Sequence, residues 1–260
     1  ALVRISAIGR FPLSERFLYL SVLGIALLAA LAALRFLPRP AAVVALALLA
    51  SGAAWQSRAR LPFWADELSL FAASAQQNPD SAYVQWSLGR VLLEEFKRTG
   101  EFAVLDEAQR AFLRAQDLYS QAGPADFVTR EDLYQANLGN GWFYLFGALG
   151  NHRECTFEEA ELVFGAILGT RPDSVEALTG RAVARMYQGE LAEAEADLER
   201  ASGLDAKDFG AWYWLGSARL RAGRPADAVA ALERAVALRP DDREATLLLG
   251  RCLVGRLRRF

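Results

Sequence analysis

Histidine occurs once in these 260 residues, methionine once and cysteine twice. A single imidazole, His152, argues against a histidine-based metal site, which needs several such ligands converging. Cys155 and Cys252 lie 97 residues apart and belong to no paired-cysteine motif. They read as two buried or half-buried thiols rather than a disulfide, and they leave the redox compartment open. Net charge is only −2, so no global field favours nucleic acid. Also missing are a glycine-rich phosphate loop, a Ser-His-Asp arrangement and a paired-cysteine zinc pattern. No cofactor, metal or catalytic set is therefore expected. His152 and Cys155, three apart, read as surface-loop chemistry. The adjacent carboxylates Glu94-Glu95, Glu158-Glu159 and Asp241-Asp242 read as solvated or helix-capping, because sequence neighbours diverge on a helix.

What the chain does have is apolar residue, 53% of it, distributed unevenly. Residues 17–34 form 18 consecutive positions without a charge, long enough at about 1.5 Å per residue to reach across most of a bilayer's hydrocarbon. Leu37-Pro38-Arg39-Pro40 interrupts them, and a second apolar run follows at 41–55. Two such runs around a Pro-Arg-Pro turn predict a transmembrane helical hairpin over 16–57, preceded by a loop segment at 1–15. The first residue is Ala rather than Met, so a processed or incomplete start is expected. Residues 58–79 predict a linking amphipathic helix, with Leu68, Leu70 and Phe71 apolar and Asp66 and Glu67 loading its first turn.

From Asp80 onward the pattern becomes periodic. Within 175–242 two stretches of 34 residues match: Trp212 answers Leu178, Gly223 answers Gly189, Ala228 answers Ala194, Leu232 answers Leu198 and Ala235 answers Ala201. That period, with small residues where two helices must touch, resembles the tetratricopeptide repeat, a helix–turn–helix unit that stacks into a solenoid. The fold class expected is all-α: the hairpin, then an α-solenoid. Residues 80–174 read as two irregular units, 175–242 as two regular ones and 243–260 as a capping helix. In the irregular part Leu138-Gly139 is aligned with Leu215-Gly216, which leaves an aromatic insertion at 142–154. A Thr156-Phe157-Glu158-Glu159 capping box opens the helix after it.

At the membrane junction, Glu15-Arg16-Phe17-Leu18-Tyr19-Leu20 and Gly24, followed by Trp55, Arg58, Trp64 and Asn78-Pro79-Asp80, resemble the C-terminal part of bacterial transmembrane-and-repeat proteins, including O-mannosyltransferases. Their E-R-x-L-Y-L-P-S-x-G motif is imperfect here, with Ser21 and Val22 in place of Pro and Ser. The resemblance implies a bacterial inner-membrane protein with its repeats in the periplasm, although the flanking arginines alone would put them in the cytoplasm. It also implies that Glu15, Arg16 and Tyr19 mark a membrane boundary. No residue here matches that family's catalytic acids, so the chain reads as non-enzymatic.

In the resembling repeats the concave face is lined by the second, fifth, ninth, twelfth and thirteenth positions of each first helix. Here these are Glu176, Thr179, Val183, Met186 and Tyr187, then Gly210, Tyr213, Ser217, Leu220 and Arg221. They form the candidate partner groove. The expected function is a membrane-anchored scaffold that binds protein partners, within a multi-subunit membrane complex and in contact with the lipid bilayer. The alternative is the non-catalytic end of a membrane glycosyltransferase using a lipid-linked sugar.

Overall fold

A computed structural model describes residues 35, 38–60, 65–121, 130–152 and 155–257. Among them are eleven α-helices: α1 Arg39–Arg60, α2 Glu67–Gln77, α3 Ala82–Thr99, α4 Phe102–Gln121, α5 Arg130–Leu149, α6 Phe157–Thr170, α7 Val175–Gln188, α8 Leu191–Leu204, α9 Phe209–Arg221, α10 Pro225–Leu238 and α11 Arg243–Leu257. From α3 to α10 they pair as antiparallel hairpins. The first helices α3, α5, α7, α9 and α11 also touch one another in sequence, which aligns them along one face of an α-solenoid.

Glycine sets how closely the helices approach. The ring of Phe112 on α4 sits against Gly89 on α3 and Gly139 on α5, where a Cβ would stand 2.7 and 2.3 Å from it. One unit later Phe164 on α6 sits against Gly141 on α5 and Gly180 on α7, at 2.6 and 2.3 Å. Leu232 on α10 fills the same seat against Gly216 on α9. Each large side chain packs directly on backbone where a Cβ would collide with it.

These seats correct the alignment drawn from sequence. Gly141, not Gly139, faces its own second helix as Gly216 does. Nor is 142–154 wholly an inserted loop: Trp142, Phe143, Tyr144 and Phe146 lie on the last turns of α5. Phe143 is buried, and Trp142 stacks on Phe146 and meets Phe164 edge-on. The first-to-second-helix turns then follow one rule, a residue with positive φ: Gly100 (73°), Asn151 (59°), Gly189 (94°) and Gly223 (74°). Asn substitutes for Gly because its short polar side chain tolerates the left-handed region. The α3–α4 turn is also no longer than the others, with Gly100-Glu101 placed like Gly189-Glu190.

The N-terminal expectation needs a larger correction. Residues 17–34, with Tyr19, and Glu15 and Arg16 before them, lie outside the described residues. The second apolar run forms α1, with Val43, Val44, Leu48 and Trp55 exposed. Among the described residues no helix is long and apolar enough to cross a membrane. The apolar stretch proper, residues 41–55, is 15 residues, about 22 Å of helix against roughly 30 Å of hydrocarbon, with Arg39 and Pro40 before it and Gln56, Ser57 and Arg58 after it. The expected inner-membrane location is overturned by this finding. The linking helix is α2, opened by an Asp66–Ser69 capping box and packed on α3 through buried Phe71.

Candidate partner groove

The groove residues expected from repeat position fall into two groups. Thr179, Val183, Met186 and Ser217 are buried. Neighbouring first helices close over them: Gly210 of α9 lies beside Thr179 of α7, with only 3.9 Å between the Cγ2 and the place a Cβ would occupy. Ser217 Oγ is spent on the Tyr213 carbonyl at 3.0 Å. These four pack the solenoid and offer nothing to a ligand.

The exposed members are Glu176, Tyr187 and Arg221, with Tyr213 and Leu220 half-buried. Tyr187 stacks on Phe157 at a centroid distance of 5.0 Å and an interplanar angle of 11°. The Arg221 guanidinium lies 4.3 Å from the Tyr187 ring centre, inside the range of a cation–π contact. Its one hydrogen bond is a long one, from Nη1 to the Met186 carbonyl at 3.5 Å. Arg221 has no carboxylate partner among the described residues. Its neighbours in sequence differ: Arg181, Arg185, Arg219 and Arg224 are all paired with acids of α6 and α8.

Tyr213 turns away from Arg221. Its hydroxyl donates to Glu244 of α11 at 3.2 Å, and its ring stacks on Phe209 and meets Trp214 edge-on. Burial first, and then the Glu244 charge, push its pKa up to about 12. Glu176 belongs to a different feature, a cleft of about 570 Å³ between the starts of α5, α7 and α9, lined also by Glu131, Tyr134, Arg171, Asp173 and Asp208. There Arg171 lies over the Tyr134 ring at 4.2 Å and pairs with Glu131 at 2.6 Å. Hydrogen bonds from Gln135 and then Arg171 hold the Glu131 carboxyl below its usual range. The groove thus has an acidic edge at its helix starts and a cation, Arg221, toward its helix ends.

Residues 209–252 match one family profile and residues 156–208 and 179–228 match another, both described as Tetratricopeptide repeat. The chain carries tetratricopeptide repeats. Solved structures of the same architecture include a thermophilic tetratricopeptide-repeat protein of Thermus thermophilus (18% identity, 72% of this chain and 89% of that one, TM-score 0.56). Another is PilW, a widely conserved type IV pilus biogenesis factor (18% identity, 71% and 76%, TM-score 0.52). At that identity they establish the fold alone. No curated protein matches the chain, so the resemblance to membrane O-mannosyltransferases finds no support there. Tetratricopeptide repeats bind protein partners generally.

Some chemistry went unseen in the sequence. His152 and Cys155 are not surface-loop residues: Cys155 is buried, and the His152 side chain is 11% exposed. Asp106, on α4, reaches His152 from 46 residues away, a distance that no local motif spans. Both cysteines are buried thiols outside any disulfide. Among the described residues no group of three or more His, Cys, Asp or Glu could hold a metal ion.

Proposed function

We propose that this chain is a protein-interaction scaffold whose partner lies across α7 and α9, with a partner carboxylate on Arg221. One observation carries the reading: Arg221 lies over the Tyr187 ring and is exposed, while Arg181, Arg185, Arg219 and Arg224 are neutralised within the solenoid. A guanidinium fixed by ring stacking loses little freedom on binding and keeps donors aimed outward for a carboxylate. Tyr187, Leu220 and Phe157 supply apolar contact beside it, the composition of an interface centre rather than a rim. The acidic edge near Glu176 and Asp208 orients the partner, repelling its acidic end and attracting a basic one.

A benzophenone side chain at position 220 tests this in cells. The crosslinked partner is identified, purified and titrated against the wild-type chain and against Arg221→Ala and Tyr187→Ala. Each variant is expected to bind about 10-fold more weakly, the loss typical of an interface anchor. Affinity within twofold of wild type in both variants sinks the reading.

A further inference from the structure

At the turn between α5 and α6, His152 and Cys155 meet Asp106 of α4, three groups whose chemistry the scaffold role does not use. Asn151, at φ 59°, swings the chain back. His152 N–H then donates to the Gly147 carbonyl at 2.8 Å, and Cys155 N–H to the His152 carbonyl at 3.1 Å. The Cys155 sulfur lands against Gly147, where a Cβ would be 2.3 Å from it, so only glycine leaves room. With backbone fixed at both residues, Cys155 Sγ stands 3.6 Å from His152 Nδ1. On the other side of the ring, His152 Nε2 stands 3.1 Å from Asp106 Oδ1. Phe102 packs on the imidazole at 5.1 Å and Phe143 at 6.4 Å.

Thiol and carboxylate therefore occupy opposite ring nitrogens. They share no point at which one metal ion could bind all three, but the thiol can give its proton to Nδ1 while the carboxylate holds the Nε2 side of the ring. A thiol beside an imidazolium is the arrangement that produces a nucleophilic thiolate near neutral pH. A carboxylate on the far nitrogen fixes the tautomer and stabilises the imidazolium. Among the described residues, titratable groups around the pair include Asp106 from α4 and Tyr144 from α5, whose pKa is pushed up by burial and then by Glu159 and Cys155.

We propose that Cys155, His152 and Asp106 form a reactive-thiol centre whose substrate is a small hydroperoxide. Asp106 orients the ring, and His152 takes the thiol proton. The thiolate attacks the terminal peroxide oxygen; the O–O bond breaks and an S–O bond forms. Sulfur loses two electrons and becomes a sulfenic acid. The departing alkoxide or hydroxide takes the proton from the His152 imidazolium and leaves as alcohol or water. The sulfur, in a residue 7% exposed, is closed to macromolecular oxidants and open to small molecules. This centre lies on the α5–α6 turn, and its chemistry stands independently of the groove on α7 and α9.

Cys252 is an internal control. It is fully buried, burial pushes its thiol pKa up, and the chain's single histidine is elsewhere. The full-length chain is treated with hydrogen peroxide and dimedone, digested, and the two cysteine peptides are quantified by mass spectrometry. Cys155 is expected to form the dimedone adduct at least ~10-fold faster than Cys252, and His152→Asn to bring the ratio to about one. Asp106→Asn lowers it severalfold. Iodoacetamide alkylation of Cys155 is expected to stay nearly flat from about pH 6 to 8.5, where an unassisted thiol climbs ~10-fold per pH unit. Equal rates at the two cysteines of the folded wild-type chain overturn the proposal, as does a His152→Asn variant that keeps the difference. If labelling of both cysteines rises together in a variant, that variant has unfolded. The wild-type pH profile then decides alone: a flat one sustains the centre and a tenfold-per-unit climb removes it.

Discussion

Arg185 Nε donates to Glu161 Oε1 at 2.7 Å, joining α7 to the second helix of the preceding unit. One repeat later Arg219 Nε donates to Glu195 Oε1, also at 2.7 Å. Both arginines are 34 apart, and both glutamates. Upstream the same place holds the neutral polar residues Tyr144 and Gln109; downstream the 34-residue spacing puts Leu253 and Val229 there. The same repeat position thus carries neutral polar residues in one unit, ion pairs in the next two, and the apolar residues Leu253 and Val229 in the last.

That series predicts the energetics of the ion pair. Arg185 and Glu161 side chains are 21% and 25% exposed, so neither single change regains full hydration for the group left behind. Arg185→Leu or Glu161→Val alone should cost about 1–3 kcal/mol, the penalty for stranding a half-buried charge. The double variant should cost less than the sum, and less than the worse single, because the chain already fills that position with Leu253 and Val229. Urea unfolding of the four proteins measures this, and strict additivity would show that the slot does not couple its occupants.

Acid should loosen the same junctions. Burial raises the pKa of Glu161, but hydrogen bonds from Arg185 and Gln188 outweigh it, and the net shift is downward from 4.5. Glu195 behaves alike, with Arg219 and Arg224 as donors. A carboxylate whose folded pKa is depressed contributes stability that is complete above its unfolded pKa and is lost as pH falls through the folded one. The urea midpoint is expected to hold level between about pH 7 and 5 and to drop below 4.5. A Glu161→Gln/Glu195→Gln chain should start lower at neutral pH and show a shallower drop. An equally steep decline in that variant would assign acid sensitivity to other carboxylates.

The ladder was legible in the sequence as two 34-residue spacings, Glu161 to Glu195 and Arg185 to Arg219, as were the helix pairs from Thr156 onward. The α5 unit was harder to read, because its aromatic run at 142–146 carries no breaker and simply lengthens the helix, while its turn residue is Asn151 rather than the expected Gly. Repeat position also misjudged the groove. It places side chains on a helix face, but it does not say how close the next first helix comes. With Gly210 on α9, that helix comes close enough to cover Thr179. The membrane hairpin was inferred from two apolar runs around a Pro-Arg-Pro turn, and the apolar stretch at 41–55 is shorter than a span. The relay of Cys155, His152 and Asp106 depends on α4 crossing the α5–α6 turn, a tertiary event with no sequence period.

The glycine seats give a sharp packing test. Gly180→Ala would place a Cβ 2.3 Å from the Phe164 ring, and the ring is fully buried, so it has nowhere to withdraw. Overpacking of this kind should cost about 1–3 kcal/mol. Phe164→Leu in the same chain should recover part of the loss, since Leu232 fills the corresponding seat over Gly216. Thermal melts of the two single variants and the double decide it. If Gly180→Ala melts like wild type, the close approach of α6 and α7 is not a constraint on the fold.

The turns offer a complementary test in which packing plays no part. A Cβ at Gly189 would meet nothing within 4 Å, yet its φ is +94°, so any penalty there is conformational. Gly189→Ala should cost about 1–2 kcal/mol, the strain of an ordinary residue in the left-handed region. Gly189→Asn should cost less, because Asn151 already holds that conformation at φ 59° in the α5–α6 turn. The reciprocal change, Asn151→Gly, relieves strain in the folded state but loosens the unfolded chain, so its net effect should stay within about 0.5 kcal/mol. Chemical denaturation ranks the three. The order wild type, Asn, Ala at position 189 is required by the argument, and an Ala variant as stable as the Asn one would mean that the turn relaxes out of positive φ when its glycine is removed.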